Sequence, residues 1–362
     1  MSLKPQQVID AMNSYYLEFP ACAGRSMHSL ANKATEAVNQ SRKDIAKFFN
    51  AKEQEIIFTR NTTEALNLVA NSFSKEDKIL TSDKEHNSNL LPWQSKQHAI
   101  LFSNEDNTFN FEELNKKIKG TKLLSIVHTS NLDGVTNPIK EIIKIAHENE
   151  TLVLIDAAQS APHTEINVKK LDIDFLACSG HKMLGPSGIG CLYGKEDLLK
   201  ELKPFLLGGE TVIDSTYNSY QLEKVPNRFE AGLQNYSGII GFAAATNYLR
   251  KIGLNNIEEH NIKLNKILSE NLLPNKKIKL IGPKDYKQRS GIFSFNIENK
   301  DPHEIALMLN SMNIYIRSGA HCVHSWFNKN NLKGSARASL YFYNTEEECK
   351  QFIENLNKIL KI

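Results

Sequence analysis

Short apolar runs alternate with amphipathic stretches along most of this chain. Glu55–Thr59, Lys78–Thr81, Lys122–His128, Thr151–Ile155, Phe175–Cys178 and Gly190–Tyr193 read as strands. Unbroken apolar segments such as Leu152-Val153-Leu154-Ile155 are the pattern of strands buried on both faces. Residues 5–18 and 27–49, the stretch Glu64–Phe73 and Pro138–Glu148 carry the spacing of helices. Strands and helices in alternation predict an open, mostly parallel sheet covered by helices on both sides.

The pattern changes after Gly241. A helix-rich stretch over 242–272 leads into a strand at Gly291–Ile297, a helix at Pro302–Met312, a strand at Ile314–Arg317 and a strand at Ala336–Tyr341. This predicts a smaller α+β unit. The chain then divides into an N-terminal helical segment (1–20), a large domain (21–249) and a small C-terminal domain (250–362).

Composition narrows the function classes. The 362 residues carry 44 basic and 41 acidic side chains, a formal charge of +3, which argues against a nucleic-acid footprint. No apolar run reaches the roughly 18 residues a membrane span needs, and the start lacks a basic-then-apolar signal. The five cysteines, Cys22, Cys178, Cys191, Cys322 and Cys349, are odd in number and scattered. That favours a reducing compartment, the cytoplasm, over a disulfide framework.

Candidate chemistry gathers at predicted strand ends. Lys182 lies in Ser179-Gly180-His181-Lys182-Met183, and Asp156 ends the apolar run before it. A lysine there can form a Schiff base with an aldehyde, and a carboxylate can hold a pyridinium nitrogen protonated. Those are the two things pyridoxal phosphate requires of a protein. Thr62 and Thr63 follow a strand and open a helix, where free N–H groups and the helix dipole suit a phosphate; an ordinary N-cap reads the same way. His86 offers a flat ring that can stack on a cofactor, or a plain surface or core histidine. Asn131 can bond a phenolic oxygen or simply make a turn. Arg317-Ser318-Gly319-Ala320-His321-Cys322 ends a strand and puts a thiol on an exposed loop. A nearby cation would make it a nucleophile. An inert cysteine, or a metal site with His321 and His324, are the competing readings, and zinc normally takes more ligands than these; no metal is expected. Arg337 sits in an apolar strand, where it needs an anion: an amino-acid carboxylate or a structural partner.

Taken in order, these segments resemble the class V aminotransferase-fold enzymes, and most closely the Suf-type (NifS-like, group II) cysteine desulfurases. The resemblance is carried by Thr59-Arg60-Asn61-Thr62-Thr63-Glu64-Ala65-Leu66-Asn67, Glu85-His86-Asn87-Ser88-Asn89 through Trp93, Asp156–Gln159, Ser179–Gly190, Arg228-Phe229-Glu230-Ala231-Gly232, Arg317–Cys322 and Arg337 through Thr345. It implies the fold type I architecture of pyridoxal-phosphate-dependent transferases, with a mostly parallel seven-stranded sheet and a smaller α+β part. It also implies a homodimer, L-cysteine as substrate, sulfur transfer toward iron–sulfur cluster assembly, and a sulfur-acceptor protein of the SufE or SufU type. Lys182 is implied as the Schiff-base lysine and proton shuttle, Asp156 as the partner of the pyridine nitrogen and Gln159 of the phenolic oxygen. His86 would stack on the ring, while Thr62, Thr63, Ser179 and His181 would hold the phosphate. Asn131, Arg337 and Arg317 would bind substrate, and Cys322 would take the sulfur as a persulfide.

Several positions depart from the family pattern. Met1-Ser2-Leu3-Lys4-Pro5 stands where the family has just completed a strand and an Asn-Ala-Ala/Ser-type segment. Gly232-Leu233-Gln234 replaces a Gly-Thr-Pro whose hydroxyl reaches the other subunit's phosphate, and Asn87 and Ala320 replace histidines. Other chemistries on the same fold are selenocysteine lyase, cysteine sulfinate desulfinase, and further class V lyases or transaminases. A catalytically degenerate binding scaffold is the non-enzyme alternative.

Overall fold

The computed structural model describes residues 1–361. Its first layer is a seven-stranded sheet built from β1 (Ile56–Thr59), β2 (Lys78–Ser82), β3 (Gln97–Leu101), β4 (Leu123–Val127), β5 (Leu152–Asp156), β6 (Phe175–Ser179) and β7 (Gly190–Gly194). The spatial order is β1-β7-β6-β5-β4-β2-β3. Pairings from β3 through β6 are parallel, and β7 alone runs against its two neighbours. The carboxyl ends of β1, β2, β4, β5 and β6 therefore open on one edge, the usual place for a ligand in such sheets.

The apolar runs explain the layering. Leu123, Leu124 and Ile126 of β4, Val153, Leu154 and Ile155 of β5 and Leu176 and Ala177 of β6 have no exposed surface. Leu154 packs with Ala65, Leu66 and Val69 of the helix Thr62–Ala70 on one face, while Ile155 joins Ile45, Phe49, Ile142 and Phe242 on the other. Truncating one such leucine to alanine costs about 2–5 kcal/mol. A buried ion pair fixes the edge strand: the Arg42 guanidinium meets the Glu230 carboxylate at 2.8 Å through both arms, and Glu230 accepts the Phe58 N–H at 2.8 Å. This fork anchors β1 at Phe58, three residues before the Asn61 cap.

A hairpin of β8 (Val212–Ser215) and β9 (Tyr220–Leu222) then projects from the body, with Ile213, Tyr217 and Tyr220 exposed. The remaining chain forms a four-stranded antiparallel sheet, ordered β10 (Ile278–Ile281), β11 (Ile292–Ile297), β13 (Ser335–Ser339), β12 (Arg317–Gly319). It has its own core, in which Phe293, Phe295 and Ala336 pack with Leu264, Ile305 and Leu356 of covering helices.

The expected strands and helices of the large sheet are present. The expectations from sequence lacked β3, β8, β9 and β10. The helix expected from Glu64 starts at Thr62, capped by the Asn61 side chain accepting the Glu64 N–H at 3.0 Å. The strand expected at Ile314–Arg317 forms instead at Arg317–Gly319, while Ile314 and Ile316 pack against the C-terminal core. The 242–272 stretch is two helices, Tyr236–Ile252 and Leu254–Leu272, broken at Gly253 with φ +90°.

Candidate active site

A cavity of about 180 Å³ opens at the carboxyl ends of the central strands. Nine residues singled out from the sequence line it together: Thr62, Thr63, His86, Asn131, Asp156, Gln159, Ser179, His181 and Lys182. They come from five separate chain segments, each entering just past the end of a different strand.

Lys182 ends a single 3-10 turn, Gly180–Lys182, that follows β6. Burial pushes its ammonium below the usual lysine range, against the pull of the Asp156 carboxylate. Asp156 is almost fully buried and accepts one bond, from the Ala158 N–H at 2.9 Å. Burial raises its pKa, while the Ala158 bond and the Lys182 charge oppose the shift. A buried carboxyl and a partly buried amine beside one small cavity are costly unless a bound group completes them.

One wall is a cradle of short donors. The Thr62 N–H donates to Ser179 Oγ at 2.8 Å, and the two hydroxyls of Thr62 and Ser179 lie 2.6 Å apart. This closeness needs a glycine across the sheet: a Cβ on Gly190 would collide with the Cys178 carbonyl oxygen and stand 3.1 Å from Asn61 Cα. The Thr63 hydroxyl is 2.7 Å from that of Ser88. Ser88 also donates its N–H to His86 Nδ1 at 3.1 Å, which leaves the ring proton of a neutral His86 on Nε2. Burial, then the charges of Lys182, Arg317 and Arg337, lower the His86 pKa to about 4, so the ring is neutral at pH 7. His181 is likewise lowered to about 4, chiefly by burial and by Lys182.

The other three expected residues, Arg317, Cys322 and Arg337, do not line this cavity and stand beside it. Arg337 Nη1 donates to the Asn131 carbonyl at 2.7 Å, and its Nε is buried without a partner. Burial, then the Arg317 charge, lowers the Arg337 pKa to about 10. Arg317 Nη2 lies 3.4 Å from Cys322 Sγ. His321 and Cys322 both take left-handed backbone, φ +50° and +63°, costly for residues with a Cβ. Two bonds tie that loop to segments following strands of the large sheet, Asn131 Nδ2 to the His321 carbonyl at 2.8 Å and the Asn87 N–H to the Cys322 carbonyl at 2.7 Å, and a third holds it to its own sheet, the His321 ring to Ser335 Oγ of β13 at 2.9 Å. Cys178 and Cys191, expected to be buried and inert, have no exposed surface and face each other at 3.4 Å.

Sequence reasoning missed two buried charges beneath the site. Asp83-Lys84-Glu85 is charged throughout, yet Lys84 and Glu85 are each 1% exposed. Lys84 pairs with buried Asp133 at 3.1 Å. Glu85 accepts bonds from Ser82 Oγ, Asn89 Nδ2 and the Val127 N–H, and burial lifts its pKa to about 7. The only hint was position, directly before His86.

These residues fit pyridoxal phosphate: an amine for the aldehyde, a buried carboxyl with a single hydrogen bond for the ring nitrogen, a neutral flat ring, and hydroxyl and N–H donors at a helix start for the phosphate. Such a fold and site define a class of protein, and the family comparison agrees: the chain belongs to the class-V aminotransferases, whose family description matches residues 1–352. Within that class it is similar to the "Probable cysteine desulfurase" of Pyrococcus abyssi (strain GE5 / Orsay), 41% identical over 371 residues, 99% of this chain and 92% of the relative. Among solved structures it is similar to the apo cysteine desulfurase of Thermococcus onnurineus NA1, with TM-score 0.95 and 41% identity over 99% of this chain and 92% of that one. The cysteine desulfurase CsdA (S-sulfonic acid) from Escherichia coli gives TM-score 0.91 at 29% identity, again over 99% and 92% of the two chains.

Proposed function

We propose that this protein is a pyridoxal-phosphate-dependent cysteine desulfurase, converting L-cysteine to L-alanine and leaving the sulfur on Cys322. The observation that carries this reading is one constellation. Lys182 and Asp156 share a buried cavity, and a thiol beside a guanidinium is docked next to it.

Pyridoxal phosphate, when bound, supplies an aldehyde for the substrate amine and a protonated ring that withdraws electrons from the substrate carbons. Asp156 keeps the ring nitrogen protonated, Gln159 bonds the phenolic oxygen, and neutral His86 stacks without adding charge. Thr62, Thr63, Ser179 and His181 hold the phosphate. Arg337 pairs with the substrate carboxylate, helped by Arg317 and by the Asn131 side. Lys182, whose pKa burial lowers, takes the proton from the substrate α-carbon and returns one to the product. The Cys322 thiolate attacks the substrate sulfur. A sulfur–sulfur bond forms, the carbon–sulfur bond breaks, and its electron pair stays with the carbon that becomes the alanine methyl group after protonation. A persulfide remains on Cys322.

The same reading covers the assembly. Residues 21–249 serve as the cofactor-binding part and 250–362 bring the cysteine loop. Two copies associate, which accounts for exposed Leu206, Leu207, Tyr217 and Leu233, the last 71% exposed. A sulfur-acceptor protein collects the persulfide sulfur for iron–sulfur cluster assembly. The cytoplasm suits five cysteines that are all free. No helix among the described residues is long and apolar enough to cross a membrane. The test is release of alanine and sulfide from cysteine with added pyridoxal phosphate and a reductant; no alanine above the protein-free control would reject the activity.

A further inference from the structure

The turn that carries Lys182 closes only in part on its own bonds. The Gly180 carbonyl accepts the Met183 N–H at 2.8 Å and the Gly185 N–H at 2.9 Å. Leu184 is left-handed at φ +63°, a conformation a leucine does not choose unaided. Two backbone groups of the turn, the His181 carbonyl and the Leu184 N–H, are satisfied from the far end of the chain. The Ser2 N–H, the Ser2 hydroxyl and Lys4 Nζ all donate to the His181 oxygen, at 3.0, 3.1 and 3.2 Å. The Leu184 N–H donates to Ser2 Oγ at 3.0 Å, and Lys4 Nζ also reaches the Ser2 carbonyl at 2.7 Å.

A carbonyl oxygen has two lone pairs, so a third, cationic donor acts as a charge against the dipole. That carbonyl belongs to the rigid peptide unit whose other end is the Lys182 nitrogen. Holding it fixes the plane from which the Lys182 side chain departs.

We propose that Ser2 and Lys4 are positioning residues for Lys182. They lock the His181–Lys182 peptide plane and the left-handed Leu184, and thereby aim the lysine into the cavity. The proposal rests on the reading that Lys182 bonds pyridoxal phosphate. Removing the clamp leaves the fold intact and loosens the reacting amine.

Two measurements test it. In cofactor-free protein, hydrogen exchange of the peptide spanning residues 180–186 reports the clamp without any assumption about the cofactor. Ser2→Ala should speed exchange of the Leu184 amide about tenfold, the loss of one ordinary hydrogen bond, with an unchanged melting temperature. Unaltered exchange would overturn the clamp. In loaded enzyme, Lys4→Met should bind cofactor but lose visible circular dichroism amplitude. Its kcat for cysteine should fall roughly tenfold, less than a 1 Å misplacement produces, with KM within about twofold. Lys4→Arg should restore both. Unchanged dichroism and kcat in Lys4→Met would overturn the positioning role. If Lys4→Met does not fold, Lys4→Gln, which keeps a donor without the charge, makes the same comparison. A wild-type protein with no visible band would overturn the cofactor reading beneath the proposal, and the exchange experiment would still decide the clamp.

Discussion

Arg317 and Arg337 stand directly opposite each other on antiparallel β12 and β13. Like charges in that position repel, and here one of the two is largely buried with an unpartnered Nε. A thiol lies near: the Cys322 sulfur is 3.4 Å from Arg317 Nη2. The arrangement is stable in itself only at a cost, and it is complete when a carboxylate and a thiolate share the two guanidinium groups. On the proposed reading, this sets the carboxylate site on β13 beside the cysteine loop that follows β12.

Arg337→Lys should therefore behave as a drastic change. An ammonium offers a point charge in place of a planar fork, and a charge-assisted bond contributes about 1.5–3 kcal/mol. KM for cysteine should rise on the order of tenfold or more, with the visible cofactor band unchanged. Steady-state kinetics alongside the spectrum checks this; an unchanged KM would make Arg337 structural.

Asp156→Asn should retain cofactor and lose turnover. The amide cannot keep the ring nitrogen protonated, and loss of about 1.5–3 kcal/mol from the transition state lowers kcat by on the order of ten- to a hundredfold. Turnover within a few-fold of the wild type would remove Asp156 from that role.

Much of this constellation is legible in the sequence alone. Asp156 and Lys182 each follow an unbroken apolar run, so a buried strand delivers them to the same edge. Thr62, Ser179 and Asn131 follow for the same reason. What escapes a reading of the sequence lies where burial contradicts composition. Lys84 and Glu85 are charged yet buried, because each meets partners far away in the chain. β3 opens on Gln97 and His98 and occupies a sheet edge, so it lacks the apolar signature. β10, Ile278-Lys279-Leu280-Ile281, lies on a sheet edge and shows neither an unbroken apolar run nor a clean alternation. The Ser2 and Lys4 contacts join residues 179 and 177 positions apart, a separation no local pattern encodes.

Acid should destabilise the protein well above the carboxylate range. Burial lowers His128 to about 4 and His163 and His321 to about 3, from an ordinary 6.5. At pH 7 these rings are neutral folded or unfolded and contribute nothing. As pH falls through 6.5 the unfolded chain gains protons that the folded chain refuses, so stability drops until the folded values are reached. Each ring removes up to about 1.4 kcal/mol per pH unit in that window. Guanidinium unfolding midpoints should fall steadily between pH 6.5 and 4. A flat profile there would mean that these rings are protonated in the folded state.

Reducing the loaded protein with borohydride and mapping its peptides should place the cofactor label on Lys182. A label on another lysine would assign the amine elsewhere.

Everything proposed for this site turns on whether Cys322 receives the sulfur of cysteine. Mass spectrometry of the Cys322 peptide after incubation with cysteine and pyridoxal phosphate, with alanine counted in the same sample, decides it. The expected result is one added sulfur atom on Cys322, one alanine per modified site in the first turnover, and neither product in Cys322→Ala. Alanine released by Cys322→Ala at the wild-type rate would contradict the assignment.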